Sequence, residues 1–184
     1  MAILIKTICA GLALLLALPF SAPASAGENF QLVEQEIKAG LLYNFLKYTQ
    51  WPQDRTNGTA VVCLLGGDPF DGHLQPMAGR TVNQHGIELR SVHTAREAEA
   101  CSLLYVNASE KPDWPMLQRT LTGKSVLTVS DFDGFAQSGG MIEFTRIDKR
   151  IGVKINVDAV TAAHLTVQDR LLHLASTVHS LRAD

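Results

Sequence analysis

Apolar residues recur at helical spacing between Gln31 and Gln50. Val33, Ile37, Leu41, Phe45 and Tyr48 form a stripe at i, i+4 and i+8, widened by Leu42 and Leu46. That period predicts an amphipathic helix whose stripe faces a core. Trp51-Pro52 ends it, because a residue before proline is pushed out of the α region. Ala60 to Leu65 is then a continuous apolar run, the pattern of a strand buried on both faces. It leads into Gly66-Gly67-Asp68-Pro69-Phe70, which predicts a glycine turn, an N-cap at Asp68 and a proline at the first helical position. Thr81 to Val92 is mostly β-prone and precedes a short helix near Thr94 to Ala100. Ser102 to Val106 and Ser125 to Val129 are two more buried-strand candidates. Between them, Trp114 to Leu121 has helical character and stops at Gly123. Ser130-Asp131 predicts a turn or cap.

The pattern changes after Gly140. Ile142 and Phe144 alternate with Glu143 and Thr145, and Ile151, Val153, Ile155 and Val157 alternate with Gly152, Lys154 and Asn156. The polar stretch Asp148-Lys149-Arg150 separates the two runs, so an antiparallel hairpin with one wet face is expected. A last helix is expected to carry Val167, Leu171, Leu174, Ala175, Val178 and Leu181 on one side. Strands alternating with helices, then a hairpin and a helix, predict an α/β fold. The architecture is a single-domain mixed β-sheet with helices on both faces and a C-terminal antiparallel hairpin plus helix.

The first residues stand outside that fold. Lys6 supplies a positive start, Ile8 to Leu18 an uncharged apolar run, Pro19 a break, and Ala24-Ser25-Ala26 the small residues a signal peptidase accepts. A signal peptide over residues 1–26 and a domain over 27–184 are therefore expected, with the protein exported to the periplasm. A retained membrane anchor is the alternative; beyond this segment no apolar run is long enough to span a bilayer. The net charge is −2. No strong basic patch appears, so nucleic acid is not an expected partner. Outside the signal segment the cysteines are Cys63 and Cys101. In an oxidising compartment two cysteines predict one disulfide; two buried free thiols are the alternative.

Candidate chemistry is sparse. Gly66-Gly67 at a helix start would offer free N–H groups to an anion, although the full nucleotide-binding spacings are absent. A plain capped turn is the competing explanation. Asp131 and Asp133 are two oxygen ligands without a calcium-loop signature, and the histidines lack metal spacing. Asp169, Arg170, His173 and Thr177 fall on one face of the expected last helix, suited to an anionic ligand or partner; a solvated face is the alternative. Tyr48, Trp51 and Arg55 add aromatic and cationic surface. No nucleophile is paired with a base, and nothing requires a metal or cofactor. The chain is therefore expected to be a binding or regulatory protein and not an enzyme.

Several segments resemble the YfiR family of bacterial periplasmic proteins. They are Glu36 to Ala39 with Leu42 to Tyr48, Trp51-Pro52, Leu65 to Phe70, Ala78 to Val82, Cys101, Gly123 to Ile142, Lys154 to Ala159 and Arg170 to Ala175. They keep the family's order across nearly all of residues 27–184. The resemblance implies a repressor that binds the periplasmic part of an inner-membrane diguanylate cyclase, lowers cyclic di-GMP and restrains biofilm formation. It further implies homodimerisation and sequestration by an outer-membrane lipoprotein. Only one cysteine pair is present where some relatives have two. A small-ligand module for nucleotides or aromatic amino acids is the alternative function.

Overall fold

The computed structural model describes residues 26–52, 58–147, 150–173, 175 and 177–179. The chain opens with helix α1 (Ala26–Tyr48), strand β1 (Thr49–Gln50), β2 (Thr59–Leu65), β3 (Thr81–Val82) and β4 (His85–Val92). Next come α2 (Ala95–Ala98), β5 (Leu103–Val106), α3 (Trp114–Leu121), β6 (Leu127–Ser130) and β7 (Ile142–Ile147). The chain then runs through β8 (Arg150–Asn156), α4 (Val157–Ala162), β9 (Thr166–Val167), α5 (Asp169–Leu172) and β10 (Thr177–His179).

Eight strands form one sheet in the order β10-β8-β7-β6-β5-β2-β4-β3. The five strands from β4 to β7 are mutually parallel; β8 and β3 run antiparallel to their neighbours β7 and β4. Within the parallel block the order is that of a doubly wound sheet, which reverses direction between β2 and β5. Both faces are covered. Val62 and Leu64 point into the cluster under α1, whereas Cys63 and Leu65 point into the cluster under α3, as period-2 alternation requires. This burial on both sides explains why β2 reads as an unbroken apolar run. On the second face Trp114, Leu117 and Leu121 of α3 are buried; the Trp114 ring lies 4.5 Å from Phe135. A disulfide joins Cys63 to Cys101, whose Cα atoms are 5.9 Å apart. It ties β2 to the start of β5 across 38 residues of sequence, and loop-closure entropy makes it worth about 4 kcal/mol. No helix among the described residues is long and apolar enough to cross a membrane.

Five expectations need correction. The stripe on α1 is rotated: Val33 and Ile37 are 53% and 48% exposed, and the buried face is Lys38, Ala39, Leu42, Phe45 and Leu46. Steps of four over-rotate a 3.6-residue helix by about 40° each, so Ile37 and Val33 have turned outward from Phe45. Asp68 caps no α-helix. Its carboxylate accepts the Phe70 and Gly72 N–H groups at 2.8 and 3.2 Å, while Asp71 and Gly72 take positive φ and close a turn. Asp131 is likewise no cap but an ion-pair partner of Lys38. Helices do follow the hairpin, as expected, but among the described residues they are the short α4 and α5 and not one long helix. β9 pairs with β1, α5 is a single turn burying Leu171, and β10 adds to the sheet beside β8, with Val178 opposite Ile155. The open edge of β8 offers a full row of hydrogen-bonding groups, which a helix would leave unpaired. Leu174 and Leu181 lie outside the described residues. The hairpin is present as β7–β8, but Val157 starts α4, whose first turn is capped by the Asn156 side chain accepting the Ala159 N–H at 3.0 Å.

Candidate functional site

Helix α1 runs against the parallel strands, so its early turns lie at their carboxyl end and its last turn at their amino end. At the carboxyl end the polar groups are paired. Lys38, a buried lysine, donates to Asp131 at 3.0 Å and lies 2.8 Å from Glu34. Its ammonium also stands 5.8 Å from the centre of the Phe144 ring, and Arg146 reaches Glu34 from β7. Tyr105 lies beneath this group. Burial, and then the Asp131 carboxylate bonded to it, push its phenol far above the usual tyrosine range. Doubly wound sheets bind ligands where the strand order reverses, outside the carboxyl ends. Here the Lys38 group borders a smaller cavity of about 270 Å³. A side chain at Gly66 would stand 2.7 Å from Glu110 Cγ and Ser109 Oγ, so the loop after β5 packs closely over Gly66.

The amino end is different. Leu46, Thr49, Gln50, Trp51, Thr59 and Ala60 meet the β3–β4 turn, Ser102 and Gln168 around a cavity of about 540 Å³, within the usual size of small-molecule sites. Local structure places each group. The ring of Trp51 is held by its indole N–H, which donates to the Ser102 carbonyl at 3.2 Å. Asn83 and Gln84 both adopt positive φ, the geometry of a tight two-residue hairpin turn. The Asn83 amide donates to the Lys47 carbonyl at 3.0 Å, which pins that turn to the end of α1. Pairing of β1 with β9 and the bond from Gln168 N–H to the Tyr48 carbonyl at 2.9 Å close the far wall. Two buried polar atoms among the described residues have no hydrogen-bond partner, Thr49 Oγ1 and His85 Nδ1, and both residues line this cavity. Buried polar atoms are rarely left unpaired.

The residues singled out from sequence do not converge. Gly66 and Gly67 follow β2 at its carboxyl end, whereas Thr59 at its other end borders the cavity; a seven-residue strand separates them by about 20 Å. Arg170 stacks its guanidinium 5.5 Å from the centre of the Tyr48 ring. His173 ends the single turn of α5, its N–H bonded to the Asp169 carbonyl at 2.9 Å. Thr177 is on a strand, so these four residues share no helix face. Arg55 lies outside the described residues. Of the earlier candidates among the described residues, only Trp51 lines the cavity. Thr49, Asn83, His85 and Gln168 carried no motif; the polar Thr49-Gln50 pair before Trp51-Pro52 and the turn-forming Asn83 were the signals present. Among the described residues no three acidic, His or Cys side chains gather as a metal site.

Among solved structures, the fold is similar to an ABC domain in complex with L-Trp from Streptococcus pneumonia, at a TM-score of 0.52 and 10% identity. The match covers 77% of this chain, which spans 60% of that one, and the likeness is one of fold. The sequence comparison reaches further. Residues 35–176 match the YfiR/HmsC-like family, a span from the second turn of the described α1 side chains to the approach of β10, and the chain therefore belongs to this family of periplasmic regulators.

Proposed function

We propose that the protein is a negative regulator that binds the periplasmic part of an inner-membrane diguanylate cyclase and lowers cyclic di-GMP signalling. Family membership is the observation that carries this. Leu32, Val33 and Ile37 on α1 and Ile147 on β7 are large apolar side chains left in solvent, available to a partner protein. Homodimerisation and capture by an outer-membrane lipoprotein belong to the same proposal. Residues 1–26 act as its export signal. The test is a pull-down of solubilised inner membranes with the purified protein, alongside cyclic di-GMP measurement in a deletion strain. Retention of a cyclase and a rise in cyclic di-GMP on deletion are expected. If no membrane protein is retained and the nucleotide level stays unchanged, the proposal fails.

The cavity at the amino end supports a second reading, a small-ligand binding module. The solved structure of similar fold holds L-Trp, and the cavity has the size of a small-molecule site. Thermal shift against a panel of small molecules separates the two readings, since a ligand at 100 times its dissociation constant stabilises by about 2.7 kcal/mol.

A further inference from the structure

We infer that the groove between α2 and α3 is a docking point for the protein partner, and that it receives one arginine side chain of that partner. The inference rests on the regulatory reading above. It adds a place on this chain and the chemistry of the residue that fills it.

The groove lies on the second face of the sheet, away from α1, and encloses about 260 Å³. Leu65 at the end of β2 and Leu117 of α3 are its buried floor. Ala95 of α2 and Met116 of α3 stand beside them, and Met116 is 63% exposed. Small-molecule sites begin at roughly 300 Å³, so this space is on the scale of a single large side chain. Protein interfaces draw most of their energy from a few side chains seated in such pockets, and arginine is among the commonest.

The rim decides the charge. Glu110 and Asp113 both line the groove. The Asp113 N–H bonds the Glu110 carbonyl at 3.0 Å, so the two residues share one turn of chain. Among the described residues neither carboxylate has an ion pair. Asp113 precedes α3, yet its side chain bonds no N–H of that helix. Glu110 accepts a long bond from the Ser109 hydroxyl at 3.4 Å and lies close over Gly66, which holds it in place. The neighbouring cation is engaged elsewhere: the Lys111 ammonium donates to the Asp133 carbonyl at 3.1 Å and stands 5.3 Å from the centre of the Phe132 ring. The positive end of α3, about half a charge, offsets only part of two full negative charges.

An arginine side chain answers both demands. Its methylene stem lies along the apolar floor, as such stems do on apolar surface. Its planar guanidinium offers a fork of N–H donors to the two carboxylates, where a lysine brings a point charge. A purely apolar residue would strip water from Glu110 and Asp113 and return nothing.

The experiment has two arms. In the first, NMR follows the Met116 methyl group, assigned with Met116→Leu, during titration of the purified protein. The probes are an acetylated and amidated Leu-Arg-Leu peptide, the same peptide with neutral citrulline in place of arginine, and agmatine. The arginine peptide is expected to shift the resonance and the citrulline peptide to leave it in place. Glu110→Gln combined with Asp113→Asn is expected to weaken the arginine peptide about tenfold, with circular dichroism to check the fold. Equal shifts with both peptides, or none, overturn the inference. Tighter binding of agmatine than of the peptide assigns the groove to a free cation and overturns it too. In the second arm the double variant replaces the unaltered protein in the pull-down from solubilised inner membranes. Loss of the cyclase is expected. Undiminished retention overturns the docking point and leaves the regulatory reading standing. If the unaltered protein retains no cyclase, the regulatory reading falls and the inference with it.

Discussion

Two ends of one sheet are built to different rules. At the carboxyl end of the parallel strands Lys38 is held between Glu34 and Asp131, Arg146 reaches Glu34, and the loop at Ser109 and Glu110 packs closely over Gly66. At the amino end Thr49 and His85 keep buried polar atoms unpaired around an open cavity. In a doubly wound sheet the ligand is expected at the first of these places. In this chain the carboxyl end keeps a cavity of about 270 Å³ lined by ion-paired side chains, and the amino end one of about 540 Å³. The strand order alone therefore does not locate a site; what matters is which polar groups the fold leaves without partners.

The largest test of this contrast is Lys38→Ala. Removing the cation leaves Asp131 without its ion-pair partner, while Glu34 keeps Arg146, and urea unfolding should show a loss of about 3 kcal/mol. Lys38→Met combined with Glu34→Gln and Asp131→Asn should recover most of it, since a neutral cluster has no unpaired charge. Recovery by Lys38→Met alone would show that the ion pairs are unimportant there. Gly66→Ala comes next. It forces a side chain into positive φ and against Glu110, at a cost of about 2 kcal/mol. At the amino end the sign reverses. Thr49→Val removes an unpaired hydroxyl and should stabilise the unliganded protein by about 1 kcal/mol; a loss of that size would mean the hydroxyl already has a partner.

The smallest effect lies on α2, which follows β4 at the carboxyl end. The Glu97 carboxyl is held below its ordinary value of 4.5, first by accepting the His93 N–H, with further help from Thr94. A depressed folded value stabilises above the unfolded one and is lost as the pH falls through the folded one. Glu97→Gln should therefore weaken the protein slightly at pH 7 and leave it unchanged near pH 2, as read by thermal unfolding across pH.

Much of the fold was legible in the chain. β2, β5 and β6 are short apolar runs, the β7–β8 hairpin alternates, and α3 matches its predicted span from Trp114 to Leu121. The Cys63–Cys101 pair followed from there being two cysteines to join. The candidate site was scarcely legible. Thr49, Asn83, His85, Ser102 and Gln168 come from separate stretches, and each alone is an ordinary polar residue.

Local pattern and family order, then, belong to the sequence itself. Strand and helix periods depend on neighbours a few residues away, and so they can be read from neighbours. The tertiary structure decided the rest. The partner of the buried Lys38 on α1 is Asp131, 93 residues away. Whether the last apolar residues form a helix depends on the free edge of β8, which β10 pairs. Where the cavity opens depends on how the end of α1, the β3–β4 turn, Ser102 and Gln168 come together. That is a property of the whole packing, because a hydrogen bond is made or missed only when distant segments have taken their places.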